Sequence, residues 1–331
     1  MLEDLPVELL DLICKFVTKL SDLSAAASAS SLLHDVASRV LFETVSIRGH
    51  TLPAATTLSS TPHLAQHVHS FNVSIGVGFT VPPSFFCPTL GLAISNMSNL
   101  VSLSISLPKD QTCVALHTRL DSTFPRLTSL QASFQSLDAH FLEFISKTPN
   151  LASLVLDQVN QAPLPHIPQT LLPKLASFSG SAQLAAIIIP GRPVSSISLT
   201  SGLLSAHVAS VLAQSTAEVL ELDATTDSPP LPILQTLGVV MPKLVHLRLG
   251  TNFDFWDESF NAASLQTMKN TLMVQGHLKL ANIAGVVWKW SELENRRRTL
   301  TTEPRPFLHD ELNNNGTESS FSTYNYDTYS Y

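Results

Sequence analysis

The chain has 331 residues, enough for two ordinary domains or for one small domain followed by an array of repeats. Hydrophobic residues make up 44% of the sequence and charged residues 14%, which is typical of a globular chain and not of a disordered one. The net charge of −7 argues against a broad nucleic-acid-binding surface, and no apolar run approaches the roughly 18 residues that a membrane span needs.

The first 47 residues are predicted to form three short helices. Asp4 followed by Pro6 is a helix-start signal, since Pro is tolerated in the first turn of a helix. A second helix is expected from Asp22 and a third from Ser31. The first helix carries an apolar stripe made of Leu9, Leu10, Ile13, Phe16 and Val17. A unit this small rarely folds alone, so we expect it to pack on the following segment or on a partner.

Residues 48–255 repeat a short apolar motif. Its best copy is the segment 149–156, Pro-Asn-Leu-Ala-Ser-Leu-Val-Leu, which has the form P-x-L-x-x-L-x-L. The first apolar positions of the copies are Leu100, Leu127, Leu151, Leu175, Val194, Ala217 and Leu244, with fainter copies from Val68 and Phe42. Their spacing stays close to the period of about 20 to 29 residues that marks leucine-rich repeats. One such unit cannot bury enough apolar surface to fold, whereas stacked units can.

Each repeat is predicted to contain a strand and a helix. The last two apolar positions of the motif share one face of a strand, and the following segments return to helical spacing. Ser136 with Asp138, and Ser201, are candidate helix caps. The segment from Leu184 to Pro190 is short and continuously apolar, and it fits a helix or a strand equally. The expected fold class is therefore α/β, a solenoid of short parallel strands alternating with helices behind a three-helix unit.

The strand positions between the core residues are expected to line the inner face of the solenoid. Most of them are small and uncharged, with Asp157 as the exception: Ser102, Ser104, Ser129, Gln131, Ser153, Val155, Asp157, Ser177, Ser179, Ser196 and Ser198. In the last units they become Glu221 and Asp223, followed by His246 and Arg248. The serines can be simple strand filler and the charges ordinary solvated groups. Alternatively, the four charged or titratable residues select a bound protein, and this is the binding site that we predict.

The C-terminal part departs from the repeat. Residues 256–298 are predicted to form a strand pair or a capping segment over the last repeat, in which Trp288 and Trp290 share a face. Residues 299–331 are polar and rich in Asn, Ser and Tyr, which predicts a disordered tail.

The N-terminal motif resembles the opening of an F-box. It reads Leu5-Pro6-x-Glu8-Leu9-Leu10-x-x-Ile13, and residues 30–47 are similar to the end of that motif running into a first repeat. An F-box followed by leucine-rich repeats is a known architecture, frequent in fungi, and the segment 190–193 is also similar to fungal members. The resemblance implies that the F-box binds the Skp adaptor of a cullin–RING ubiquitin ligase and that the repeats hold the protein to be ubiquitinated.

If the resemblance holds, the apolar contacts to the adaptor come from Leu5, Pro6, Leu9, Leu10 and Ile13. Some of these residues would then be exposed in the free protein. Two alternatives remain at this point. The three helices can be a cap that shields the open end of the solenoid, and the whole chain can be a repeat scaffold without a ubiquitin-ligase link.

No enzyme or cofactor motif stands out in the sequence. It contains no P-loop, no G-x-S-x-G and no H-E-x-x-H, so we expect neither catalysis nor a cofactor. His63, His67 and His69 are close in sequence, but the first pair would need a helix where a strand is predicted soon after, and a metal site there is disfavoured.

The N-terminal residues and the cysteines indicate in which cellular compartment the protein is expected. The N-terminus begins Met-Leu-Glu-Asp, with acidic residues where a secretory signal would carry basic ones. Cys14, Cys87 and Cys113 are far apart, which favours buried thiols in a reducing compartment. We therefore expect a protein of the cytoplasm, the nucleus or both.

Overall fold

Helices and short strands alternate along the chain, and the strands form one sheet. The structure is a computed structural model, and it describes residues 5–48, 52–75, 84–107, 111–134, 137–158, 167–251, 262–292 and 298–304. Within these residues the fold is α/β and solenoid-like, with parallel strands stacked in chain order. The prediction of short parallel strands alternating with helices is confirmed at this level.

Three helices precede the sheet. They are α1 (Val7–Phe16), α2 (Leu20–Ala29) and α3 (Ser31–Leu41). The hydroxyl of Ser30 accepts a hydrogen bond from the backbone N–H of Leu33 at 3.3 Å, so α3 begins where the sequence predicted it.

The starts of the first two helices differ from the prediction. Pro6 occupies the N-cap of α1 and not its first turn, and the expected cap residue Asp4 lies outside the described residues. α2 begins at Leu20, and Asp22 lies in its first turn, where a carboxylate interacts favourably with the helix dipole. The acidic residue therefore marks the first turn of this helix and not its first residue.

The described strands form a sheet whose order follows the chain. They are β1 (Thr44–Arg48), β2 (Ser70–Ser74), β3 (Ser102–Ser106), β4 (Ser129–Phe134), β5 (Ser153–Gln158), β6 (Ser177–Ser181), β7 (Ser196–Ser201), β8 (Glu221–Thr226), β9 (His246–Thr251), β10 (Leu280–Ile283), β11 (Val286–Glu292) and β12 (Arg298–Pro304). Strands β1 to β10 pair in parallel, each with the next, and β10, β11 and β12 pair antiparallel.

Apolar residues of the repeat motif supply the core beneath the sheet. In β5, Leu154 and Leu156 are fully buried, while Val155 between them points to the other face. The first apolar position of each unit is also buried, at Val68, Leu100, Leu127, Leu151, Leu175, Val194, Val219, Leu244 and Leu278. The repetition in the sequence is thus the repetition of one packing site.

Two of these positions correct the sequence prediction. Ile197 is registered opposite Leu222, so the position equivalent to Val194 is Val219 and not Ala217. The motif also recurs at Leu278, because β10 pairs in parallel with β9 and extends the stack into the segment predicted as a cap.

The remaining helices pack on the buried face of the sheet. They are α4 (Leu52–Ser60), α5 (Pro62–Ala65), α6 (Phe86–Ser95), α7 (Gln111–Ala115), α8 (Ala139–Ser146), α9 (Ala182–Ile188), α10 (Ala206–Leu212), α11 (Pro230–Val240) and α12 (Ala262–Val274). The ambiguous segment from Leu184 therefore lies mostly in a helix, α9.

The helix caps agree with the prediction in one case of two. Asp138 caps α8, since its carboxylate accepts the backbone N–H groups of His140 and Phe141. Ser201 is still the last residue of β7, and the chain turns at Gly202, where φ is +80°, before Ser205 caps α10. Ser136 lies outside the described residues.

The first residues of the predicted disordered tail form a strand. Residues 298–304 form β12 against β11, whereas the sequence predicted disorder from residue 299. The antiparallel turn from β10 into β11 leaves an edge of β11 unpaired, and β12 occupies it. The rest of the predicted tail lies outside the described residues. Trp288 of β11 is buried and Trp290 half-buried, as their spacing predicted for one face.

The described residues contain two separate apolar cores. The helical unit has a small one, made of Leu10, Cys14, Leu23, Val36 and Ala37. The large core runs under the sheet and includes Cys87 and Cys113. All three cysteines are buried, as predicted.

Candidate functional site

α1 presents apolar side chains on two different faces. Leu10 and Cys14 point into the small core, while Leu9, Ile13 and Phe16 point outwards with exposed fractions of 46%, 45% and 77%. Residues three, four and seven positions apart lie on one side of a helix, so the outward residues, together with Leu12, form a continuous row. We call Leu9, Leu12, Ile13 and Phe16 the outer row of α1.

The five residues predicted to contact an adaptor do not all belong to this row. Leu9 and Ile13 do, Pro6 is exposed at the N-cap, and Leu5 is half-buried against the small core. Leu10 is only 1% exposed. Leu10 therefore offers no surface in the free chain for the predicted adaptor contact, because it lies about 100° around the helix from Leu9 and faces the core that it shares with residues of α2 and α3. Its role is to hold the helical unit together.

Two exposed residues of the row were not among the predicted contacts. Leu12 and Phe16 lie three and seven positions after Leu9, and helical spacing alone places them beside it. The signal was present in the sequence, since Phe16 belongs to the apolar stripe. The motif that defined the predicted contacts ends at Ile13 and so left it out.

The helical unit is joined to the sheet directly. Asp11 of α1 forms a salt bridge with Arg39 of α3, with Oδ1 and Nη2 3.0 Å apart. Immediately after α3, Phe42 and Val45 pack against the large core, and the backbone carbonyl oxygen of Glu43 accepts hydrogen bonds from the backbone N–H groups of residues 69 and 70. The outer row is therefore held on a small unit that is continuous with the first strand.

Two polar pairs connect β8 and β9 on the face of the sheet opposite the core. This is the face that the sequence predicted to line the inside of the solenoid, and we call it the outward face of the sheet. Glu221 is registered opposite His246, and Asp223 opposite Arg248. Nδ1 of His246 lies 3.2 Å from Oε1 of Glu221, and Nη1 of Arg248 lies 3.6 Å from Oδ2 of Asp223. The structure thus brings together all four residues predicted for target binding. We call them the charged rungs.

The charged rungs combine fixed geometry with accessible charge. The hydroxyl of Ser196, one strand earlier, donates a hydrogen bond to Oε2 of Glu221 at 2.9 Å. Partial burial raises the pKa of Asp223, and the nearby Arg248 guanidinium opposes that change. All four side chains remain more than a third exposed, so their mutual attraction is worth about 0–1 kcal/mol and a partner with complementary charges can compete for it.

The same outward row is uncharged over the preceding strands. Its residues lie one opposite the next and all carry a hydroxyl: Ser70, Ser102, Ser129, Ser153, Ser177 and Ser196. The row therefore changes from neutral to charged at β8. The charged rungs therefore differ in chemistry from the serine row that leads up to them.

A third group of polar residues was not predicted from the sequence. His117 follows α7, and His140 and Glu143 lie one turn apart on α8. The imidazole rings of the two histidines stack, with centroids 4.4 Å apart. A hydrogen bond from Lys147 lowers the pKa of Glu143, although partial burial opposes this. The histidines are separated by about one repeat, so the period itself was a signal that could have paired them.

His63, His67 and His69 do not form a group of three ligand atoms in the structure. Nδ1 of His69 instead lies 2.9 Å from the backbone carbonyl oxygen of His67. Burial lowers the pKa of His67, and the positive charge of Arg39 acts in the same direction.

Among the helices that the structure describes, none is both long and apolar enough to cross a membrane. A comparison of the sequence with models of protein families finds no match. A comparison with curated proteins finds no significant match.

Proposed function

We propose that the protein is the substrate-recognition subunit of an SCF-type cullin–RING ubiquitin ligase. In this proposal residues 1–47 act as an F-box that binds a Skp-type adaptor, and the adaptor links the chain to the cullin scaffold. The units of residues 48–255 act as leucine-rich repeats that bind the protein to be ubiquitinated. In this proposal the chain itself carries out no catalysis.

The observation that carries the proposal is the outer row of α1. Burying a large apolar side chain contributes about 1.5–3 kcal/mol, so a row of exposed ones is an unfavourable feature of the free protein. A contiguous apolar patch of this kind is typical of a protein–protein interface. Leu9 and Ile13 of the F-box-like motif lie in the row, which connects the sequence resemblance to a surface able to dock.

A simple capping role accounts for only half of α1. Leu10 and Cys14 close the small core, as they would in a cap that shields the end of the repeats. The outer row faces away from that core, and shielding the end of the repeats does not require apolar residues there. A partner that covers the row therefore accounts for both faces of the helix.

The charged rungs supply the proposed target-binding surface. They lie on the outward face of the sheet, where the side chains of successive strands form a continuous surface in repeat proteins. Two acids paired with a histidine and an arginine favour a target that offers both charge signs. Complementary charge sets the choice of partner more than the strength of binding.

Binding of the purified full-length chain to a purified Skp-type adaptor tests the proposal. We expect the wild-type chain to bind and the double variant Leu9→Asp, Ile13→Asp to bind at least tenfold more weakly, because two carboxylates would be buried in an apolar interface. Both residues are nearly half exposed, so the variant should keep its fold, which circular dichroism checks.

Val239→Asp is the matched control. Val239 is 81% exposed on α11 and lies far from the helical unit along the chain, so this variant should bind the adaptor like the wild type. A wild-type chain that fails to bind the adaptor contradicts the proposal and favours a repeat scaffold without a ligase link. If Val239→Asp loses as much adaptor binding as the double variant, the loss comes from adding an acidic residue anywhere on the surface and not from the outer row.

A further inference from the structure

His117, His140 and Glu143 form a compact group of potential metal ligands on the helical side of the repeats. Each residue offers one ligand atom, and these atoms all lie within 4.8 Å of one another. His140 and Glu143 are three residues apart on α8, which places them on one face of that helix. His117 reaches them from the segment after α7, in the preceding repeat.

From this geometry we propose that the three side chains bind a divalent transition-metal ion, with Zn²⁺ as the best-fitting case. Two imidazole nitrogens and one carboxylate oxygen suit Zn²⁺, Co²⁺, Ni²⁺ and Cu²⁺, whereas Mg²⁺ and Ca²⁺ prefer sites made of oxygen atoms. The proposal is independent of the adaptor and target surfaces, since none of their residues belongs to the group.

The distances require only a small closure. Zinc bonds to imidazole nitrogen and carboxylate oxygen measure about 2.0–2.2 Å, which in a tetrahedral site separates the ligand atoms by about 3.4 Å. The separations between the ligand atoms of His117, His140 and Glu143 therefore exceed this value by no more than roughly 1.4 Å. His117 is exposed beyond the end of α7, so rotation of its side chain can close the gap without moving a core residue.

A fixed hydrogen bond holds the carboxylate in place. Nζ of Lys147 donates to Oε1 of Glu143 at 2.8 Å and is itself anchored by the hydroxyl of Thr118 at 3.2 Å and the carbonyl oxygen of Arg119 at 2.9 Å. Partners of this kind, which orient a ligand from behind, are a common feature of metal sites. This hydrogen bond engages one of the two carboxylate oxygens of Glu143.

A bound ion would connect two neighbouring repeats. His117 belongs to the unit of α7, and His140 and Glu143 belong to the unit of α8. With three protein ligands, a tetrahedral ion keeps one position open to water. An ion that binds only the folded chain raises the thermal midpoint of unfolding, and the increase grows with metal concentration.

The full-length chain, stripped with a chelator that is then removed, allows a direct test. Titration with ZnCl₂ in a calorimeter should show binding of one ion per chain, and CoCl₂ should give visible absorption bands of a four-coordinate site. His117→Ala and His140→Ala should each weaken this binding at least tenfold. The increase in the thermal midpoint caused by Zn²⁺ should be lost with them.

His207→Ala is the matched control, because His207 is an exposed histidine on the helix α10. This variant should bind Zn²⁺ like the wild type. The proposal is overturned if the wild-type chain takes up no stoichiometric Zn²⁺. It is equally overturned if His117→Ala, which alters an exposed side chain and should leave the fold intact, binds as tightly as the control.

Discussion

Arg192 is buried inside the repeats, where a guanidinium needs a full set of acceptors. Its Nε donates to the carbonyl oxygen of Leu171 at 2.8 Å, its Nη2 to that of Pro168 at 2.7 Å, and its Nη1 to that of Ile188. Burial lowers the pKa of Arg192 from its ordinary value. The Ile188 carbonyl lies at the end of α9, where the helix dipole favours a cation. Arg192 therefore ties the segment before β6 to this helix.

Replacing Arg192 by methionine should lower the free energy of unfolding by about 2–4 kcal/mol, because several buried carbonyl groups lose their donors. Urea denaturation followed by far-ultraviolet circular dichroism measures the change. Arg126→Met is the control, since Arg126 is exposed and its loss should change stability by less than about 0.5 kcal/mol. Equal unfolding midpoints for Arg192→Met and the control would show that the carbonyl contacts carry no stability.

The sequence gives no hint of this burial. Arg192 stands between Pro190-Gly191 and Pro193, which reads as an exposed turn. Two of the acceptors, the carbonyl oxygens of Leu171 and Pro168, come from a segment 21 to 24 residues earlier, and only the fold brings them close. The group of His117, His140 and Glu143 was overlooked for a related reason, since its members meet across two repeats.

At the scale of single elements, α1 shows how two neighbouring leucines can have opposite roles. Leu10 lies in the small core, while Leu9 belongs to the outer row. Because the small core is separate from the large one, damage to it should remain local.

Leu10→Ala should therefore destabilise the helical unit by about 2–5 kcal/mol while the repeats stay folded. The three tryptophans, Trp256, Trp288 and Trp290, all lie towards the C-terminus, so their fluorescence reports on that end. We expect an early loss of helical circular dichroism in urea without an accompanying change in fluorescence. Leu9→Ala should show no early transition, and an early transition in both variants would contradict the assignment of the two faces.

Most strands could be predicted because each carries the same apolar spacing and faces the same packing site. The exceptions have identifiable physical causes. The segment 217–222 contains two overlapping apolar frames, and only pairing with β7 selects the one that starts at Val219. β10 was overlooked as a repeat because the distance from Leu244 to Leu278 exceeds the usual period. β12 was not predicted because its order comes from pairing with β11 and not from its polar composition.

The charged rungs were predictable for the same reason as the strands. Alternation along β8 and β9 places Glu221, Asp223, His246 and Arg248 on one face, and the repeat spacing places them side by side. What the sequence could not give is which residue pairs with which. That depends on the register, because a different register would change every cross-strand partner.

At the scale of the whole molecule, the outer row and the charged rungs lie at opposite ends of one stack of parallel strands. They share no residue, so each should be alterable without affecting the other. The double variant Asp223→Arg, Arg248→Asp keeps an ion pair at this position while reversing its direction.

This double variant should change which proteins the chain captures from cells with the proteasome blocked, and leave adaptor affinity within about twofold of the wild type. Leu9→Asp should have the opposite pattern. It should weaken binding to the adaptor and leave the set of captured target proteins unchanged in a direct pull-down. The measurements are adaptor affinity with purified proteins and mass spectrometry of captured proteins. An unchanged set of captured proteins in the charge-reversed variant would argue against target selection by the rungs.

The unbroken order of the strands has a geometric consequence. Neighbouring strands are about 4.8 Å apart, so seven steps from β1 to β8 set a distance of about 34 Å along the sheet. The number of repeats therefore sets the distance between the end that carries the outer row and the end that carries the charged rungs. Evolutionary gain or loss of one unit would lengthen or shorten that reach by one step while leaving both end surfaces untouched.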